Sequence, residues 1–140
     1  MGNVRICSAC LMGVNCRYDR GNKLNAKVVE MAKVGVVVPV CPEQLAGLPT
    51  PREQTEIRDG KVFTKSGKDV TKAFELGAKE TLNIAREAGA EEAILKQRSA
   101  ACGSGQIYDG SFSGKVIGGD GLTTKLLKEN GLKVVSEEEL

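Results

Sequence analysis

The chain has 140 residues, a formal net charge of +2, 41% hydrophobic and 27% charged residues, which suits one soluble globular domain with a sizeable core. No apolar run approaches the roughly 20 residues that span a bilayer, no apolar leader core is visible, and the mixed charge offers nothing for nucleic acid or a membrane surface; a cytoplasmic protein is expected. Histidine and tryptophan are both missing, which excludes Ser-His-Asp and Cys-His catalysis and His-ligated metals and argues against an aromatic stacking platform.

Residues 3–7 read as a buried first strand, followed by a loop that carries Cys10, Cys16, Arg17, Tyr18 and Asp19. Asn25 is placed to cap a helix over about 26–34, and Gly35 to end it. The β-branched run at residues 36–40 predicts a central parallel strand, so strand, helix and strand form a right-handed βαβ unit. Residues 41–71 break the alternation. Pro42, Gly47, Pro49 and Pro51 mark an irregular loop, and Asp59-Gly60 between two short alternating runs signals a hairpin. We read about 42–70 as a small insertion or lid.

The longest predicted helix starts at Asp69 or Thr71 and ends near Ala88, stopped by Gly89. Residues 93–96 give another buried strand, a glycine-rich passage covers 103–121, a helix follows over about 123–129, and residues 132–135 form a last strand before an acidic tail. The expected architecture is a single α/β domain over 1–140, with a doubly wound, mostly parallel, Rossmann-like sheet and a hairpin insertion.

Five cysteines are many against this background. Cys10, Cys41 and Cys102 each lie just past a different predicted strand, and strand ends are where open α/β sheets bind ligands. Buried cysteines are commonly packing, but thiols at three strand ends next to Gly and Pro point to one shared site. Without histidine such a site must use thiolates, which suit zinc, copper(I) or iron–sulfur clusters. Cys7-x-x-Cys10 has zinc-like spacing, yet Cys7 falls inside the strand and is read as packing. Glu43, two residues after Cys41, is a candidate general acid or base. Ser99 and Ser104 flank Cys102, where they either satisfy loop backbone or touch a substrate. Glu53 and Glu56 are expected to be solvated, Arg17 and Asp19 to pair, and residues 108–110 to form a turn that closes the site.

Several motifs in the right order resemble the thiouracil desulfidases, once grouped as domain of unknown function 523. They are the run from Cys10 through Cys16 to Asp19, Pro39-Val-Cys41-Pro-Glu43, the strand at 93–96, Ser99-x-x-Cys102-Gly, and the run from Ile107 to Phe112. The likeness covers almost the whole chain. The resemblance implies a 4Fe-4S cluster held by three cysteines, matched here to Cys10, Cys41 and Cys102, with one iron open. Cys16 also matches a family cysteine and is the competing third ligand. Glu43 and Ser99 match the acid–base and positioning residues, and Cys16 and Ser104 are placed as substrate contacts. The implied reaction is a non-redox desulfuration of 2- or 4-thiouracil to uracil and hydrosulfide, with the substrate sulfur on the open iron and water attacking the carbon. The implied partner is therefore a small thiolated pyrimidine. In one departure, the family's Ser-Pro-Ser-Cys-Gly is Ser99-Ala-Ala-Cys102-Gly here, so no role passes to Ala101. Two further readings compete: a metal-free persulfide carrier using Cys16 or Cys102, and a structural metal-binding module that recruits a partner.

Overall fold

A computed structural model describes residues 4–140. In chain order the elements are β1 (Val4–Ser8), α1 (Ala26–Val34), β2 (Val36–Val40), α2 (Pro42–Leu45), β3 (Thr55–Arg58), β4 (Lys61–Thr64), α3 (Thr71–Ala88), β5 (Glu92–Leu95), β6 (Gln106–Tyr108), β7 (Val116–Gly118), α4 (Leu122–Glu129) and β8 (Lys133–Ser136). Single 3-10 turns follow β1 and β8. The main sheet has the order β2-β1-β5-β8 with every pairing parallel. Residue 3, expected in the first strand, lies outside the described residues.

Strand period-2 alternation divides the core in two. Ile6, Val38, Ala93, Leu95 and Val134 pack with Phe74, Leu82 and Leu127 of α3 and α4. Their neighbours Cys7, Val37, Ile94 and Val135 face the other way, toward Val28 and Met31 of α1. Helices therefore cover both faces, as a doubly wound sheet requires. Cys7 is fully buried in the second of these layers. Asn25 caps α1 by accepting from the amides of Lys27 and Val28 at 3.0 and 3.2 Å. Gly89 ends α3 in the left-handed conformation at φ 70°.

Three expectations are corrected. The β-branched strand β2 is an edge strand, paired with β1 alone. Pro39 sits within it, and an edge is where a residue without an amide hydrogen can be accommodated. The glycine-rich passage contains a second hairpin, β6–β7, paired antiparallel through Ile107 and Ile117. Its strands are too short for periodicity to reveal. The acidic tail folds back on the molecule: Ser136 accepts from the amide of Glu138, and Glu139 accepts from the amide of Ser136. The β3–β4 hairpin turns at Asp59-Gly60, both residues at positive φ, as its sequence predicts.

Candidate active site

The parallel register finishes β1 and β2 level, with Ser8 opposite Val40, so the residues that follow them emerge side by side. Cys41 comes directly after β2, and Cys10 sits in the 3-10 turn after β1. Lys96 follows β5, and its amide donates to Ser8 Oγ at 2.8 Å, tying two strand ends together. A longer loop then leads to Cys102. Its buried carbonyls are met by the free amides at the start of α4: Leu122 N reaches Ala100 O at 3.0 Å and Thr123 N reaches Ala101 O at 2.9 Å. Thr124 Oγ1 donates to Cys102 O at 2.9 Å. Gly121 is required for this approach, since a Cβ there would lie 2.4 Å from the Ala101 carbonyl.

Cys10, Cys16, Cys41 and Cys102 all line one cavity of about 510 Å³, together with Glu43, Ser99, Ser8, Arg52 and Lys96. Cys7 does not line it. Neither does Ser104, whose backbone is bonded both ways to the Gln97 side chain, at 2.7 and 2.8 Å. The loop thus uses Ser104 to close on itself. Ser99 Oγ accepts from the amides of Ala101 and Cys102 at 3.1 Å each, so it shapes the Cys102 turn while facing the cavity. Ala101, where the family carries its second serine, is buried at 1% exposure and outside the cavity lining. Its replacement therefore removes no hydroxyl from this chamber.

Burial pushes the Cys10 thiol up to about 11. Burial also raises Cys102, with Glu43, Cys10 and Cys41 opposing its ionisation and Ser8 favouring it. Cys41 is raised first by its hydrogen bond to Cys16 and then by burial, whereas the Cys41 thiol lowers Cys16 by donating to it. The four thiols therefore feel one another and Glu43. Glu43 Oε1 lies 3.7 Å from Cys41 Sγ, and its Oε2 is 3.7 Å from Arg52 Nη2. The same Arg52 nitrogen donates to Cys16 O at 2.8 Å, fastening the Cys16 loop to the insertion.

Among the described residues no three His, Cys, Asp or Glu side chains are close enough to hold a single metal ion. Buried, soft, mutually opposed donors around an open chamber fit a larger thiophilic cationic group. Such a group takes thiolates and displaces their protons. With no histidine in the chain, these thiols are the donors available.

The model of the 2-thiouracil desulfurase family matches residues 6–139. The chain belongs to that family. The chain is also similar to a solved structure of a 4Fe-4S-dependent thiouracil desulfidase, TudS, at 41% identity and a TM-score of 0.94, covering 99% of this chain and 93% of that one. The uncharacterized protein YbbK of Bacillus subtilis (strain 168) is 44% identical over 143 residues, 95% of each chain. The mixed α/β fold and its hairpins agree with that structural neighbour.

Residues without a local signature complete the site. Ser8, Arg52 and Lys96 act through partners far away in sequence. Glu56, expected to be solvated, lines the cavity and accepts from the amides of Gly110 and Phe112 at 3.0 Å each. Arg17 and Asp19 do pair, at 3.6 Å. The chain has two tyrosines and three phenylalanines, and Tyr18, Tyr108 and Phe112 line the cavity. The missing tryptophan argues against an aromatic stacking platform; these three rings nonetheless share the cavity lining. No helix among the described residues is long and apolar enough to cross a membrane.

Proposed function

We propose that this protein is an iron–sulfur-dependent thiouracil desulfidase. It converts 2- or 4-thiouracil and water to uracil and hydrogen sulfide, with no net transfer of electrons. The observation that carries the reading is the convergence of three thiols from three strand ends, with Glu43, on one cavity. Cys10, Cys41 and Cys102 would hold the 4Fe-4S cluster, three protein ligands for four irons. When bound, the cluster supplies a thiophilic Lewis acid for the thiocarbonyl sulfur.

The chain's own groups do the rest. Glu43 stands beside the ligand Cys41 and moves the proton between water, substrate and product at its carboxylate. Arg52 keeps that carboxylate turned toward the Cys16 loop. The Ser99 oxygen is engaged by two amides, which leaves its own hydrogen to donate into the cavity and orient water or substrate. Cys16 flanks the site as a substrate contact. Clustered cysteines without a disulfide among the described residues suit a reducing compartment, which supports the cytoplasm as its location.

The test is iron and sulfide analysis of protein purified without oxygen, with assay of uracil formed from each thiouracil isomer. A brown protein with about four irons and sulfides per chain that releases uracil is expected. Cys10→Ala, Cys41→Ala and Cys102→Ala should each be colourless, and Cys7→Ala brown. Iron-free protein without turnover after reconstitution would overturn the reading. A brown Cys41→Ala beside a colourless Cys16→Ala would move the third ligand to Cys16.

A further inference from the structure

Phe112 occupies the left-handed region of backbone space, at φ 57°. For a bulky side chain this is a genuine outlier, retained only where its surroundings impose it. The surroundings here are polar and specific. Glu56 Oε1 accepts from the amides of Gly110 and Phe112. Asp109 Oδ1 accepts from the amide of Ser111 at 2.9 Å. Gly110, at φ 93°, is pressed onto β3 so closely that a Cβ would lie 2.7 Å from the Ile57 carbonyl oxygen. The loop is thus built to hold one residue in an unfavourable conformation.

Core packing does not account for that arrangement, because Phe112 belongs to neither core cluster and remains half-buried against the cavity. Tyr18 and Phe63 differ. Tyr18 carries the Arg17 guanidinium 5.4 Å above its centroid and receives a hydrogen bond from Gln54 at 2.8 Å. Phe63 is covered by Arg58 at 4.5 Å. Among the described residues no cation lies over Phe112. Its ring is apolar and half-buried, its backbone is fixed by Glu56, and it lines the same cavity as the thiols and Glu43.

We infer that Phe112 is a specificity-determining residue whose ring stacks on the planar ring of the thiolated pyrimidine, with Glu56 as the positioning residue that fixes its loop. The inference rests on the desulfidase reading. A flat aromatic surface favours a planar heteroaromatic base, and it acts equally on substrate and product because both keep that ring. Its contribution therefore falls on binding and leaves the chemical step alone.

The experiment compares reconstituted holoenzymes: wild type, Phe112→Ala, Phe112→Leu, Phe112→Tyr, Glu56→Ala and Glu56→Gln. Measurements are KM and kcat for 4-thiouracil, Kd for uracil by calorimetry, and cluster absorption. Stacking of a base on an aromatic side chain corresponds to roughly 5- to 150-fold in affinity. Phe112→Ala should raise KM and uracil Kd within that range, with kcat and the cluster spectrum unchanged. Phe112→Tyr should restore binding, and Phe112→Leu, apolar but without a π face, should not. Glu56→Ala should weaken binding in the same direction, and Glu56→Gln, whose amide oxygen still accepts, should recover it. The inference is overturned if Phe112→Ala binds uracil within about twofold of wild type, or if Phe112→Leu matches wild type. Absence of sulfur release by the wild-type holoenzyme would instead sink the desulfidase reading.

Discussion

Under the proposed function, Glu43 is the residue at which catalysis should separate from cluster retention. It lies against Cys41 and Arg52, inside the chamber and largely shielded from solvent. A hard carboxylate competes poorly with thiolates for iron, so under the proposed function its place beside Cys41 suits proton transfer. Glu43→Ala is expected to keep the brown chromophore and to lose about 10²- to 10⁴-fold in turnover. A discontinuous uracil assay beside the visible spectrum checks both. Near-normal turnover would remove the acid–base role, and a colourless variant would make Glu43 part of the scaffold. This residue was legible because it follows Pro42 and a strand-end cysteine, although the structure puts it in the first turn of α2 and not in the loop that the prolines suggest. Arg52 was not, because a guanidinium that binds Cys16 O from 36 residues away leaves no local pattern. The same holds for Ser8 and Lys96, whose tie joins residues 88 apart. For Ser104 the sequence signal was closeness to Cys102, which suggested a substrate contact; the structure bonds its backbone to the side chain of Gln97, a cavity-lining residue, and leaves Ser104 itself outside the lining.

Among the elements, the long helices and hairpin β3–β4 were readable because capping residues and Asp-Gly turns act locally. The edge position of β2 and the hairpin β6–β7 depend on pairing partners, which a run of apolar residues does not name. The packing of α2 on α3 is likewise invisible in the sequence and leads to a definite expectation. Gly77, in the interior of α3, lies so close to α2 that a Cβ would sit 2.2 Å from the Pro42 carbonyl oxygen. Glycine in a helix interior ordinarily costs about 0.5–1 kcal/mol relative to alanine. Here the sign reverses, because the added methyl must displace backbone. Overpacking of this kind costs about 1–3 kcal/mol. Gly77→Ala is therefore expected to lower Tm by several degrees, measured on the holoprotein. It should also depress turnover, because the displaced backbone belongs to the segment that presents Cys41 and Glu43. A raised Tm would show that α2 can move away without cost and that its contact with α3 does not position the site.

In the molecule as a whole, the turn after β8 packs against the loop that follows β5. Gln97 N donates to Glu137 Oε1 at 2.7 Å, and Lys96 Nζ lies 3.2 Å from Glu137 Oε2. Glu138 pairs with Arg98, and Lys27 Nζ donates to Leu140 O at 2.6 Å. Lys96 and Arg98 line the cavity, and Gln97 in turn clamps Ser104, so the tail braces the whole loop that carries Ser99 and Cys102. Runs of glutamate are usually solvated, which is why this segment read as a tail; its partners lie about forty residues back. The pairs differ in strength. The Lys96–Glu137 side chains are 16% and 11% exposed and retain most of their interaction, whereas Arg98–Glu138 is open to water and adds little. A hydrogen bond to a charged group contributes about 1.5–3 kcal/mol. Deleting residues 137–140 should leave the helix and strand content unchanged by circular dichroism, lower Tm by roughly 5–10 °C, and speed iron loss to an added chelator. Glu137→Gln, which keeps an acceptor for Gln97 N and drops the charge facing Lys96, should fall between deletion and wild type in both Tm and iron loss. Identical chelation rates for the deletion and the wild type would show that the loop holds its shape alone and that the tail merely rests on it.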